Sequence, residues 1–313
     1  MGVTANKIGV SVVRATNSVV NIVVLVIIVL LLFFAGYALW DSEQIFQGAD
    51  KKRYETYKPT EENKGKSFKE LQAINSEVFA WLTVYGTNID YPVTQGENNM
   101  KYINTNAEGQ YAMTGAIFLD SGNSKDFSDF NSILYGHHMH KDVMFGEIGN
   151  FANKNMFDTH RYGNLYYDGK DHGIEFFAFV HCDAYDWVVF DPNVQGEAQQ
   201  QEYLNHLLSV AVHSRDIGVT IQDNIVLLST CSSTSTNGRD ILIGRLSDTT
   251  YADSFEDAGP SFGEWQLGVD SPLGFLQSIP HVLWAMILIL AALLLATTLV
   301  IRKIRKKNRG EDT

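Results

Sequence analysis

Cysteine is nearly absent from this chain: 313 residues contain two, Cys182 and Cys231. That scarcity excludes a disulfide framework and a four-cysteine zinc site. A single bridge between the two remains compatible with an oxidising compartment, although it would silence both thiols. Basic residues are also the minority, 24 Lys and Arg against 36 Asp and Glu, for a net charge of -12. A field of that sign disfavours nucleic acid and anionic headgroups as partners and suits a cationic or neutral peptide. The sequence contains no internal repeat and no phosphate-binding glycine loop, and nothing in it calls for a cofactor.

What is abundant lies near the ends. Residues 22–39 form an apolar run interrupted only by Gly36 and Tyr37, and residues 282–301 form a second with no charge at all. Each is long enough to cross a bilayer. The first is longer than the apolar core of a secretory signal, and no small-residue cleavage site clearly follows before Trp40 and Asp41, so it reads as an uncleaved signal anchor. Basic residues beside a span stay in the cytoplasm. Lys7 and Arg14 precede the first run, and Arg302, Lys303, Arg305, Lys306, Lys307 and Arg309 follow the second. Both termini are therefore expected in the cytoplasm and the region between the spans outside, where the acidic excess is concentrated.

These signals divide the chain into a cytoplasmic N-terminus (1–18), a signal anchor (19–40), a polar stalk (41–66), an extracellular domain (67–247), a linker (248–280), a second span (281–301) and a basic cytoplasmic tail (302–313). Within the domain, Ser67 followed by Glu70 resembles a capping box. Leu71, Ile74, Val78 and Leu82 then predict a helix of about four turns. Short β-branched and aromatic segments at 89–93, 116–119, 132–135, 165–167, 174–181, 225–229 and 241–246 predict a mostly antiparallel sheet closed into a barrel. Residues 199–212 interrupt them with helical spacing, which places a helix just before the strand that carries Cys231.

That strand, Ile225-Val226-Leu227-Leu228-Ser229-Thr230-Cys231, delivers a thiol to its own end. A lone cysteine on an apolar strand is more often core than catalytic, and Cys182, at the end of the 174–181 strand, reads as barrel wall. A nucleophilic cysteine needs a base or cation that favours the thiolate and a donor for the oxyanion. Arg239 lies eight residues past Cys231, and an antiparallel return of that length brings it beside the thiol. The cluster Tyr135-Gly136-His137-His138-Met139-His140 likewise follows an apolar run. His137, His138 and His140 with a cysteine could bind zinc, but a His-x-His pair without further ligands at fixed spacing is a weak signal. His160, His172 and His213, in polar surroundings, read as solvated.

At these residues the chain resembles the sortase family, class B. The family signature, Thr-Leu-x-Thr-Cys with a downstream arginine and an upstream Gly-His, is matched by Leu227-Leu228-Ser229-Thr230-Cys231, Arg239 and Gly136-His137, with Leu227 in place of the first threonine. Further similarity lies in Asn88-Ile89-Asp90-Tyr91-Pro92-Val93, Gly96, Gly115-Ala116-Ile117-Phe118-Leu119-Asp120, Asp126-Phe127-Ser128-Asp129, Met144-Phe145-Gly146 and Gly244-Arg245-Leu246. The second span departs from class B and is more usual in class C, the pilin-polymerising sortases.

The resemblance implies a sortase-type β-barrel in a Gram-positive-type cell membrane, acting as a cysteine transpeptidase with neither metal nor cofactor. Cys231 would form a thioacyl intermediate with a C-terminal sorting signal on a secreted protein. His137 would serve as acid and base, Arg239 as oxyanion donor, and Ser229 and Thr230 as substrate-binding residues. The acceptor would be an amine of a cell-wall peptide or a pilin lysine. The helix at 199–212 falls where the family places a substrate-contacting loop. An extracellular cysteine hydrolase and a non-catalytic, membrane-tethered assembly protein remain the competing readings.

Overall fold

The computed structural model describes residues 2–60, 65–232 and 237–255. The predicted second span, most of the linker and the basic tail lie outside the described residues. Those described divide into two compact units, the helix up to Gln44 and a domain from Ile45 onward.

The first unit is most of α1 (Gly2–Ala49). Its stretch Thr16–Phe46 has a mean hydropathy of 3.2 over its most apolar window, with large apolar side chains such as Val19, Leu30 and Phe34 exposed. Thirty-one residues at a helical rise of about 1.5 Å exceed the roughly 30 Å of a bilayer core. By length and composition this helix can cross a membrane.

The second unit opens on the segment expected to be a polar stalk. α1 continues through it to Ala49, and two short 3₁₀ turns follow, Lys51–Arg53 and Glu55–Tyr57. Ala49 and Tyr54 are buried, the Tyr91 hydroxyl donates to the Ala49 carbonyl, and Arg53 pairs with Glu108.

The four-turn helix predicted from Ser67 is half that length. α2 spans Lys66–Ile74 and starts from Gly65 in the left-handed region, while the Ser67 hydroxyl donates to the Lys58 carbonyl. Asn75 ends the helix by folding its side chain onto the Glu77 amide. Val78 and Leu82 lie instead on β1 (Val78–Val84), where Val78, Ala80, Leu82 and Val84 are all buried. Positions 74, 78 and 82 satisfy helical spacing, but a strand also puts 78 and 82 on one face, and tertiary pairing decided between them.

The remaining strands are β2 (Asp90–Thr94), β3 (Ile117–Leu119), β4 (Asn131–Tyr135), β5 (Tyr162–Tyr167), β6 (Lys170–Asp183), β7 (Ala211–Ser214), β8 (Ile225–Cys231) and β9 (Gly238–Ser247). Their order is β5-β1-β2-β3-β4-β8-β9-β6, and β5 pairs with β6 to close the ring. β6 divides one edge between two partners, pairing with β5 through 170–175 and with β7 through 178–180. The predicted closed barrel is therefore present. Its ladders are antiparallel except for β2–β3 and β4–β8, which are parallel.

Two short helices complete the domain, α3 (Lys154–Thr159) and α4 (Glu197–Ser209). α4 ends before the predicted limit of 212, because Ala211–Ser214 form β7, with Ala211 opposite Val180 and His213 opposite Phe179 on β6. The helix before the cysteine strand is thus present, with β7 between.

β8 explains why its sequence is continuously apolar rather than alternating. Val226 and Leu228 face the cluster that fills the barrel, with Leu134, Phe179 and Leu242. Ile225 and Leu227 face a second cluster, with Ile241, Ile243 and the α4 residues Tyr203, Leu204 and Leu207. A strand covered on both faces has no polar row to spare.

Beyond β9 the chain stays on the barrel as far as it is described. Tyr251 stacks on Tyr162 and Phe255 on His160, while buried Glu175 bonds both Arg161 and Arg245.

Leu228 is fully buried three residues before Cys231, the exposed end of its strand. Leu228→Ala is expected to destabilise the domain by about 2–5 kcal/mol, read as a lower urea midpoint with an unchanged denaturant slope.

Candidate active site

Three strand ends assemble the site. β4 and β8 run parallel with Tyr135 opposite Ser229, so their C-terminal ends coincide, and Gly136-His137 leaves one while Thr230-Cys231 ends the other. The ends are bonded together: the Gly136 amide donates to the Ser229 carbonyl at 3.1 Å, and the Thr230 hydroxyl to the Gly136 carbonyl at 2.8 Å. β9 returns antiparallel with Arg239 directly opposite Cys231, as the eight-residue spacing predicted.

Side-chain alternation decides the face. Cys231 continues the outer row of Ile225, Leu227 and Ser229, whereas Thr230 continues the inner row. The outer row ends in a cavity of about 350 Å³ lined by His137, Ser229, Thr230, Cys231 and Arg239, with Met100, Ile103, Phe118, Tyr135 and Phe190 among its walls. All five sequence-predicted site residues therefore border one cavity.

Their surroundings differ. Cys231 is exposed at the strand end and free. The His137 Nε2 lies 2.7 Å from the Ile103 carbonyl. Arg239 donates through Nη1 to the Gly238 carbonyl at 3.0 Å. Ser229 is 1% exposed and its hydroxyl has no partner among the described residues, whereas the Thr230 hydroxyl is committed to Gly136.

The cavity also contains residues without a motif. The Tyr135 hydroxyl donates to Asp120, which also accepts from Asn99. Burial and the adjacent carboxylate push that phenol well above its ordinary range, so it stays protonated as a donor. Met100 and Ile103 come from the loop between β2 and β3, where neither strand nor helix periodicity marks a wall. Only the folded cavity, and for Ile103 the contact with His137, reveals them.

Cys182 also lies beside Arg239, opposite it on β6. The row Cys231, Arg239, Cys182 therefore crosses three adjacent strands with the arginine in the middle. Two strand spacings, about 10 Å, separate the thiols, beyond the roughly 7 Å between Cα atoms that a disulfide spans. Both cysteines are free, and the alternative of a bridge between them does not hold. Burial, reinforced by Asp186, pushes the Cys182 thiol up to about 12.

The other histidines fall elsewhere. His138 pairs across a bridge with Met144 and borders a separate cavity that also contacts His181 and Asp240. Among the described residues no three His, Cys, Asp or Glu side chains converge as metal ligands. His172 is not solvated but 3% exposed, stacked on Tyr167 at 3.8 Å between centroids. Burial lowers its pKa. His160 stacks on Phe255, and the His213 ring bonds the Ala152 carbonyl. Sequence polarity around these three did not anticipate the ring partners that tertiary contact supplies.

A barrel that presents a free strand-end thiol, a histidine and an arginine to one cavity has the constellation of a cysteine-dependent acyl-transfer enzyme. No family model matches the sequence. Solved structures do: sortase B from the type II pilus of Streptococcus pneumoniae is 49% identical, covering 57% of this chain and 98% of that one, with a TM-score of 0.51. A Streptococcus pyogenes class B sortase involved in pilus biogenesis is 42% identical over 59% of this chain and all of that one, with a TM-score of 0.54. Among curated proteins, sortase B of Staphylococcus aureus is 28% identical over 209 residues, 65% of this chain and 81% of its own length. The chain belongs to the sortase family and is class B-like. It is a sortase-type cysteine transpeptidase.

At pH 8, iodoacetamide is expected to label Cys231 and spare Cys182, since a thiol held near 12 is thiolate only to about one part in ten thousand there. Labelling of Cys182 should rise as pH approaches 12 or on unfolding. Peptide mass spectrometry reads both, and equal labelling at pH 8 would contradict the assignment.

Proposed function

We propose that Cys231 attacks the backbone carbonyl of a C-terminal sorting signal on a secreted protein. The carbonyl becomes an oxyanion, the C–N bond breaks, and the leaving amine departs with a proton from His137, leaving a thioacyl enzyme. An incoming amine then loses a proton to His137 as the new C–N bond forms and the Cys231 thiolate is expelled. Arg239 supplies donors to the oxyanion through its planar fork. Ser229, whose hydroxyl is free at the cavity wall, donates to the bound peptide, and Thr230 braces the strand ends that carry Cys231 and His137. The observation that carries this reading is the double register that places Arg239 opposite Cys231 and the end of β4 beside the end of β8.

The acceptor we favour is a pilin lysine rather than a cell-wall peptide. The support is that the relatives matching at 49% and 42% identity are both pilus sortases by description, whereas the curated sortase B relatives match at 29% and 28%. α1 anchors the domain to the cell membrane of a Gram-positive-type bacterium, with the catalytic domain outside. The sequence adds a second anchor at 282–301, with both termini inside.

Cys231→Ala is expected to abolish the trapped thioacyl adduct, and His137→Ala and Arg239→Ala each to lower transfer by roughly 10²–10⁴-fold. Intact-mass spectrometry with a sorting-signal peptide and either a pilin fragment or a wall peptide reads the outcome. An adduct that survives Cys231→Ala would overturn the nucleophile. Exclusive transfer to the wall peptide would overturn the pilin acceptor, and hydrolysed product alone would favour the hydrolase reading.

A further inference from the structure

The contact between His137 and Ile103 has a chemical direction. A carbonyl oxygen only accepts, so the ring nitrogen 2.7 Å from it, Nε2, carries a proton. The imidazole then has one nitrogen left to titrate, Nδ1.

The carbonyl is held in place by its neighbours. Ile103 ends the 3₁₀ turn Lys101–Ile103. On one side, the Tyr102 carbonyl accepts from the Ala116 amide at 3.0 Å, and on the other the Asn104 carbonyl accepts from Ala112 at 3.0 Å. The flanking carbonyls are thus tied to one turn while that of Ile103 meets His137. Gly115 lets this turn close: at φ +60 it passes so near that a Cβ would lie 2.4 Å from the Tyr102 oxygen and 2.7 Å from that of Ile103.

Beneath the turn lies a polar anchor. Tyr102 is 1% exposed; its hydroxyl donates to Glu77 at 2.6 Å and accepts from Asn75 at 2.9 Å. Glu77 also pairs with Lys101 at 2.7 Å, and Asn75 donates again to the Ala107 carbonyl. The loop that lines the cavity with Met100 and Ile103 is therefore pinned to the residues just before β1 by buried Tyr102 together with Lys101.

We propose that the Ile103 carbonyl fixes His137 in the Nε2–H tautomer, with Tyr102 as the positioning residue that holds this carbonyl in place, so that Nδ1 is the nitrogen that exchanges protons with the amines. This rests on the reading of His137 as acid and base. In the first half-reaction Nδ1 takes the Cys231 thiol proton as the C–S bond forms, then gives it to the departing amine as the C–N bond breaks and the thioacyl carbonyl re-forms. In the second, bare Nδ1 takes the proton of the incoming amine as the new C–N bond forms and the C–S bond breaks. The backbone carbonyl fills the place that a carboxylate or amide takes beside the histidine of other nucleophilic sites.

The test combines histidine-selective ¹⁵N NMR with kinetics. In the wild-type protein the His137 proton is expected on Nε2. Tyr102→Phe, which keeps the ring and removes both hydroxyl bonds, is expected to shift population toward Nδ1–H. It should also lower kcat for transfer by about tenfold, a part of the roughly 10²–10⁴-fold that a general acid–base contributes, with a smaller change in KM. A wild-type proton on Nδ1 would overturn the proposal, as would a Tyr102→Phe variant with unchanged tautomer and kcat. If that variant does not fold, the wild-type spectrum decides alone. Transfer that persists in His137→Ala would instead overturn the acid–base role while leaving the tautomer assignment standing.

Discussion

The pairing of β8 with both its neighbours is the constraint on which the rest depends. Its parallel ladder to β4 sets the end of one strand beside the end of another, and its antiparallel ladder to β9 sets Arg239 across from Cys231. A slip of one residue in either ladder would reverse which side chains face out. Cys231 would then point into the barrel mouth and away from the cavity it now lines. Register is marked at the strand ends by the bonds from the Gly136 amide to the Ser229 carbonyl and from the Thr230 hydroxyl to the Gly136 carbonyl, which a slipped ladder would break.

The same wall separates two chemical roles along adjacent residues. Outer-row Ser229 and Cys231 meet the substrate cavity, while inner-row Thr230 spends its hydroxyl on the Gly136 carbonyl and Asp240 bonds His181 at 2.7 Å. The inner row braces the strand ends, and the outer row is left open for chemistry. Cys182 shows what burial does to a thiol in the same row. Beside the same arginine but packed against the second cluster, its thiol is pushed up to about 12 by burial and Asp186, whereas Cys231 stands exposed at a strand end. Location along the row, rather than proximity to Arg239 alone, distinguishes the two cysteines.

Much of this was legible from local pattern. The apolar run of β8, the helix before it and the return to Arg239 follow from short-range rules, and seven predicted strands coincide with β2–β6, β8 and β9. β1 was not legible, because Ile74, Val78 and Leu82 mimic a helix face and only pairing with β2 and β5 reveals a strand. β7 was hidden in the apparent continuation of α4. The 95–116 loop had no periodic signal, yet it supplies Met100, Ile103 and the carbonyl that meets His137. The buried ring of His172 was likewise unreadable, since its stacking partner Tyr167 faces it across the β5–β6 hairpin.

The sequence by itself determined the chemistry on offer: a thiol at a strand end, an arginine at hairpin distance, a histidine after another apolar run, and a helix apolar enough to cross a membrane. Each depends on hydrogen-bond register or hydropathy within a few residues along the chain. Only the tertiary structure decided that β4 and β8 lie parallel, so that a histidine 94 positions from Cys231 shares its cavity, as the Thr230–Gly136 bond across the same separation shows. It also decided which nitrogen of that histidine meets a carbonyl. Parallel pairing and loop closure depend on contacts distant in sequence, and no local propensity encodes them.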